Sequence, residues 1–248
     1  MIPNFNIIKY KTVSSTNDKA KEFLQNNEPE NFTIIITEEQ IKGRGQRGNY
    51  WHCEKDKNLT FSIVIYPNFL FASKQFYLSK VVSLGIIDYL NTKKQGFKIK
   101  WPNDIYYNDK KICGILIENS IFGSRIKNSV IGIGLNMNQD VFPQNLPDAV
   151  SMKNITNKKY NIENELYLLL NYILKNYKNL KVENFEQIDK KYHSHLFGIN
   201  ETLEFKDKTG TFKGIIKGTL PEGRLSIQIS ENDIRYYNFK EVEFINRF

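Results

Sequence analysis

The sequence predicts an α+β protein, in which a mixed or antiparallel sheet is packed with helices over residues 1–195 and a small all-β unit follows over 196–248. Three observations carry this. Short β-branched or alternating runs such as NFTIIIT (31–37) and LTFSIVIY (59–66) are bounded by turn residues, as strands are. Two long segments place apolar residues at helical spacing. Beyond about residue 196 no helical period survives, while turn signals recur every few residues.

Taken in order, Ser14-Ser15-Thr16-Asn17-Asp18 supplies side chains that cap a helix N-terminus, and a short helix through Ala20 and Leu24 is expected. Asn31–Thr37 reads as a strand, and Gly43–Gly48, rich in glycine and charge, as a loop. Leu59, Phe61, Ile63 and Ile65 alternate with Thr60, Ser62, Val64 and Tyr66 in a second strand. Leu78, Val81, Val82, Ile86 and Leu90 form a helical stripe. Further strands are expected up to Trp101, from Ile112 to Glu118 and from Val130 to Met137, with a hairpin turn at Asn108-Asp109. Leu166, Leu169, Leu170, Ile173, Tyr177 and Leu180 mark the clearest amphipathic helix, with Asn161 as its cap. Leu203–Phe205, Thr211–Leu220, Arg224–Ser230 and Ile234–Ile245 complete the series as strands.

Bulk properties exclude several classes. Of the 248 residues, 40% are hydrophobic and 25% charged, which is the composition of a folded domain and not of a disordered chain. No run approaches the roughly 20 apolar residues of a membrane span. The opening MIPNFNIIKYK has no signal-peptide pattern, and the two cysteines, Cys53 and Cys113, form no C-x-x-C motif, so a cytoplasmic location is expected. The net charge of +8 comes from scattered basic residues, without a run of five, and by itself decides between no partners.

Three segments can carry chemistry. Gly43-Arg44-Gly45-Gln46-Arg47-Gly48 lets backbone amides approach an anion and adds charge-assisted donors; it fits neither the P-loop nor the dinucleotide fingerprint, and a basic hairpin loop is the plainer reading. Lys100-Trp101-Pro102-Asn103-Asp104, followed by Lys111, places a carboxylate beside two lysines, suited to Mg²⁺ and phosphate or to a surface salt bridge. Gly132-Ile133-Gly134-Leu135-Asn136 marks a strand that something approaches closely, or a bulge. His193-Ser194-His195 has no further ligand nearby, and neither cysteine has an assigned base.

In combination these segments resemble the catalytic domain of biotin–protein ligases, also called biotin–[acetyl-CoA-carboxylase] ligases. Ser15-Thr16-Asn17, Gln40, the glycine loop with Trp51, Lys100–Asp104, Lys111 with Gly114-Ile115-Leu116, and Gly132–Asn136 follow the family's order over residues 10–195. The resemblance implies a class II synthetase-like catalytic fold, an SH3-like C-terminal domain, ATP and Mg²⁺ as cofactors, and biotin as substrate. It implies that Ser15, Thr16, Asn17, Gln40, Arg44, Gly45, Gln46, Lys111, Gly114, Leu116 and Gly132 surround biotin. Arg47, Trp51, Lys100, Asn103, Lys111 and Asn136 would serve the nucleotide, Asp104 the magnesium, and Lys111 with Arg44 the catalysis. Where Gln46 stands many members carry arginine, and where Asn49 and Tyr50 stand, basic residues.

The implied reaction activates biotin as biotinyl-AMP and transfers it to a lysine of a biotin carboxyl carrier protein or domain of a carboxylase. Lipoate or octanoate ligases share the fold, but a polar head-group pocket of Ser15, Thr16 and Gln40 suits a ureido ring better than an apolar lipoyl head. A non-catalytic biotin binder would be expected to lack Lys111 or Asp104, and both are present. Because the motifs begin by residue 14, a short form without an N-terminal DNA-binding domain is expected, with no sequence-specific DNA and no membrane as partners. A homodimer stays open, since an exposed sheet edge could pair with itself or with the acceptor.

Overall fold

The computed structural model describes residues 5–26 and 28–245, apart from the side chain of Arg47. The first sheet has seven strands: β1 (Ile7–Val13), β2 (Thr33–Gln40), β3 (Leu59–Ile65), β4 (Phe97–Lys100), β5 (Asp104–Tyr107), β6 (Lys110–Phe122) and β7 (Arg125–Leu135). Their order across the sheet is β1-β2-β3-β7-β6-β5-β4, parallel between β1 and β2 and antiparallel elsewhere, so the sheet is mixed as expected. Five helices accompany the strands: α1 (Thr16–Asn26), α2 (Phe76–Asn91), α3 (Met152–Thr156), α4 (Ile162–Lys181) and α5 (Phe185–His195). Asn161 caps α4, its side chain accepting from the Asn164 amide at 3.0 Å.

Register decides what each face of the sheet carries, because side chains alternate with period two. On β3, β7 and β6, the cross-strand rows Phe61–Ile133–Ile115 and Ile63–Ile131–Ile117 are apolar. They join the main core with Leu78, Val82 and Ile86 of α2 and Leu166, Leu169 and Ile173 of α4. The intervening rows read Thr60–Gly134–Gly114, Ser62–Gly132–Leu116 and Val64–Val130–Glu118. On that face Val64 and Val130 pack with Ala20 of α1 and Ile35 in a small separate cluster, and apart from Leu116 the rest of these rows is polar or glycine. All seven residues of β3 are buried, Thr60 and Ser62 among them, so two hydroxyls are held beneath the surface.

The second sheet is antiparallel and five-stranded: β8 (Thr202–Asp207), β9 (Gly210–Thr219), β10 (Leu225–Ser230), β11 (Asp233–Tyr237) and β12 (Glu243–Phe244), in the order β11-β10-β9-β8-β12. Phe205, Ile216, Leu225 and Ile227 are buried at its centre. It is tied to the first sheet by the Trp101 indole N–H, which donates to Gly223 O at 2.8 Å, and by edge contact between Trp101 and Phe239.

Several elements differ from the sequence reading. β1 lacks the alternation that would reveal it and forms because it can pair with β2. Asp104 does not trail a strand; it opens β5, which folds back on β4. The segment 234–245 is not one strand: a turn, in which Asn238 N–H donates to the Glu241 carboxylate at 2.7 Å, separates β11 from β12.

Candidate active site

The polar face of β3, β7 and β6 is the floor of a cavity of about 540 Å³. The N-terminus of α1, the loop after β2 and the β4–β5 turn form its sides, and residues 239–244 beside the second sheet close one end. Ser15, Thr16, Asn17, Gln40, Arg44, Gly45, Gln46, Trp51, Lys100, Asn103, Asp104, Lys111, Gly114, Leu116 and Gly132 all line it. Fifteen positions spread over more than a hundred residues thus line one cavity.

The α1 end is a closed hydrogen-bond set. Gln40 Oε1 accepts from the Thr16 amide at 2.8 Å, and Ser62 Oγ lies 2.8 Å from Thr16 Oγ1 and 2.6 Å from Asn17 Oδ1. Ser15, Thr16 and Asn17 are each at most 3% exposed. Buried polar groups are retained where they are bonded or await a polar ligand. Gly132 makes room for Asn17: a Cβ there would come within 2.2 Å of Asn17 Oδ1.

At the other end Lys111 Nζ pairs with Asp104 Oδ1 at 2.7 Å and lies 5.7 Å from the Trp51 ring centroid. The Trp51 indole lies across Gly114 and Gly134, which face each other between β6 and β7; a Cβ on Gly134 would meet it at 2.2 Å. Lys100 Nζ stands over the Tyr106 ring at 4.6 Å and near Phe244 at 5.5 Å.

Asn136 falls outside this cavity. It lines a second one, of about 270 Å³, which shares Tyr50, Trp51, Tyr106 and Lys111 with the first and is completed by Phe142 and residues 145–149. Trp51 Nε1 and Asn136 Oδ1 are both buried and have no hydrogen-bond partner among the described residues. Asn103 lines the first cavity, yet its amide donates to Ile115 O at 2.7 Å and so stitches the β4–β5 turn to β6. The Arg47 side chain lies outside what the structure describes.

The site also holds residues that sequence reasoning passed over. Thr60 and Ser62 were legible as hydroxyls on a strand with no polar face to spare. Asp18 and Glu118 were not: they meet Arg44 Nη2 at 2.6 and 3.1 Å from separate elements. Burial disfavours charge on Glu118, but bonds from Lys21 and Asn17 and the nearby Arg44 outweigh it and hold the carboxyl below its ordinary value. Burial pushes the Cys113 thiol up, which fits a packing role. His193 Nε2 accepts from the Thr219 amide at 3.1 Å, and among the described residues no three His, Cys, Asp or Glu side chains gather as a metal cluster.

No helix among the described residues is long and apolar enough to cross a membrane. The family model described as Biotin/lipoate A/B protein ligase family matches residues 10–136. The bifunctional ligase/repressor BirA of Bacillus subtilis is 30% identical over 237 residues, covering 94% of this chain and 72% of that protein. The biotin–[acetyl-CoA-carboxylase] ligase of Paracoccus denitrificans is 35% identical over 107 residues, 42% of this chain and 43% of that one. Among solved structures, the biotin protein ligase of Aquifex aeolicus in complex with biotin and ATP superposes with a TM-score of 0.81 at 28% identity, covering 96% of this chain and 97% of that one. The order of the cavity's residues, the match to the family model and the near full-length relatives agree, and the chain belongs to the biotin/lipoate A/B protein ligase family, within which it stands with the biotin–protein ligases.

Proposed function

We propose that this enzyme activates biotin with ATP to biotinyl-AMP and transfers the biotinyl group to a lysine of a biotin carboxyl carrier domain. One observation carries the reading: Lys111, paired with Asp104, stands where the two cavities meet. A carboxylate lying in the larger cavity and an α-phosphate lying in the smaller would converge on that ammonium.

The larger cavity suits biotin. Its buried Ser15, Thr16, Asn17 and Gln40 offer donors and acceptors to a ureido head, Leu116 adds apolar surface for the ring and valeryl chain, and Gly132 and Gly114 let Asn17 and Trp51 close against the floor. The smaller suits the adenosine moiety: the Trp51 face, its unpartnered N–H and the unpartnered Asn136 Oδ1 supply stacking, a donor and an acceptor. Lys100 and the glycine loop with Arg44, Gly45 and Gln46 complete the enclosure around the phosphates and the carboxylate.

Two anions repel, and the chain's part is to offset that repulsion. Lys111 neutralises the biotin carboxylate and the charge that builds at the α-phosphorus. The carboxylate oxygen attacks that phosphorus, and the bond to pyrophosphate breaks. The carrier lysine, as free amine, then attacks the anhydride carbonyl; an amide forms and AMP leaves with the electron pair. Asp104 would hold Mg²⁺ with its carboxylate, and the ion, when bound, would supply Lewis-acid withdrawal of charge from the phosphates. Residues 1–195 hold the first sheet and 196–248 the second, and we read the latter as an SH3-like domain that lends the cavity its end wall.

Lys111→Ala should cut biotin-dependent pyrophosphate release by a factor on the order of 10²–10³. Its melting temperature should stay close to the parent's. A folded Lys111→Ala protein that releases pyrophosphate at the parental rate would remove the basis of this assignment.

A further inference from the structure

Resting on that reading, we infer that Asp18 and Glu118 are positioning residues that aim Arg44 of the glycine-rich loop into the site. Arg44 Nη2 lies 2.6 Å from Asp18 Oδ1 on α1 and 3.1 Å from Glu118 Oε2 on β6. Both contacts fall on one nitrogen: a hydrogen bond to Glu118 and an ion pair with Asp18. Nη1 and Nε, with three further N–H groups, make no hydrogen bond to a described residue. The guanidinium is planar and rigid, so fixing one corner from two directions fixes where the remaining donors point. Arg44 lines the larger cavity, where a carboxylate is expected.

The clamp is itself anchored. Glu118 Oε1 is held by Lys21 Nζ at 2.5 Å, and Oε2 accepts from Asn17 Nδ2 at 2.8 Å. Asn17 Oδ1 in turn lies 2.6 Å from Ser62 Oγ on the cavity floor. Loop cation and head-group pocket are therefore joined by one continuous chain, Arg44–Glu118–Asn17–Ser62. Ion pairs as exposed as Arg44 with Asp18, whose side chains are 39% and 47% exposed, add little to stability, so the geometry they impose is the better account of the arrangement. A misplacement of about 1 Å in an active-site group suffices for large rate losses.

The test is a double-mutant cycle on the full chain, reading pyrophosphate release with biotin and MgATP. Asp18→Asn, isosteric but neutral, should lower kcat on the order of tenfold. Asp18→Glu, which keeps the charge, should retain most of the rate. On an Arg44→Ala background Asp18→Asn should cause no further loss of kcat. Losses that add to that of Arg44→Ala overturn the clamp while leaving Arg44 in its role. Wild-type kcat for Arg44→Ala overturns the role of Arg44 and the clamp together, and leaves the Lys111 assignment untouched. Asp18→Asn with parental kcat also overturns the clamp. Melting temperatures of each variant separate these outcomes from unfolding.

Discussion

Gln46 sits in a single 3-10 turn, Gln46–Gly48, within the glycine loop and lines the larger cavity. An arginine there would add a charge-assisted bond to the ligand's anionic end, and such bonds are worth about 1.5–3 kcal/mol. A glutamine gives up the charge, at a cost of about 1 kcal/mol, or a factor of roughly 5. Gln46→Arg should therefore slow release of biotinyl-AMP from a preformed complex, measured by a stopped-flow chase. Unchanged or faster release would mean that the loop closes by another contact. At this scale the resemblance carried the reading: Lys111, Asp104, Gln40 and Gly45 follow the family's order in the sequence, and all four line one cavity. Asp18 and Glu118 were not legible: an acid one turn into a helix and an acid ending an apolar strand are ordinary, and only folding brings both to Arg44.

Among the elements, the pair β6–β7 shows why glycine recurs on one strand. Gly114 and Gly134 are opposed in register and form a trough for the Trp51 indole. A methyl group on Gly134 would meet the ring at 2.2 Å, and one on Gly114 at 3.0 Å. A graded outcome follows: Gly134→Ala should raise KM for ATP more than Gly114→Ala does, with a parallel shift in Trp51 fluorescence. Equal effects, or none, would show that the indole has another resting place. The strands and the amphipathic α4 could be read from period alone, because one face of each is buried apolar surface. β1, α5 and the break between β11 and β12 escaped, as partner strands and a side-chain-stabilised turn decide them rather than local pattern.

For the molecule as a whole, acid sensitivity has an identifiable contributor. Glu118 titrates below its ordinary 4.5 in the folded protein, held by Lys21, Asn17 and Arg44 against the opposing effect of burial. A depressed carboxyl contributes stability above its unfolded value and loses it as pH falls through the folded one. Melting temperatures of the parent and Glu118→Gln should differ at pH 6 and converge as the pH is lowered through the titration of the folded carboxyl. A gap of constant size across the whole acid range would assign the difference to packing instead. The two-part architecture was visible in the loss of helical period near residue 196, but that the second part walls the first part's cavity was not, because contacts between distant segments leave no local trace.

That shared wall sets an order of events during synthesis. The last cavity residue contributed by the first sheet is Gly134, and the next is Phe239, 105 positions later in the chain. At about 5–20 residues per second, on the order of 5–20 s separates translation of the two. Through that interval a growing polypeptide carries the pocket floor, the loop and the lysine, yet the end wall has not been made. The cavity can have all its sides only after residue 244 has been translated and has cleared the ribosome.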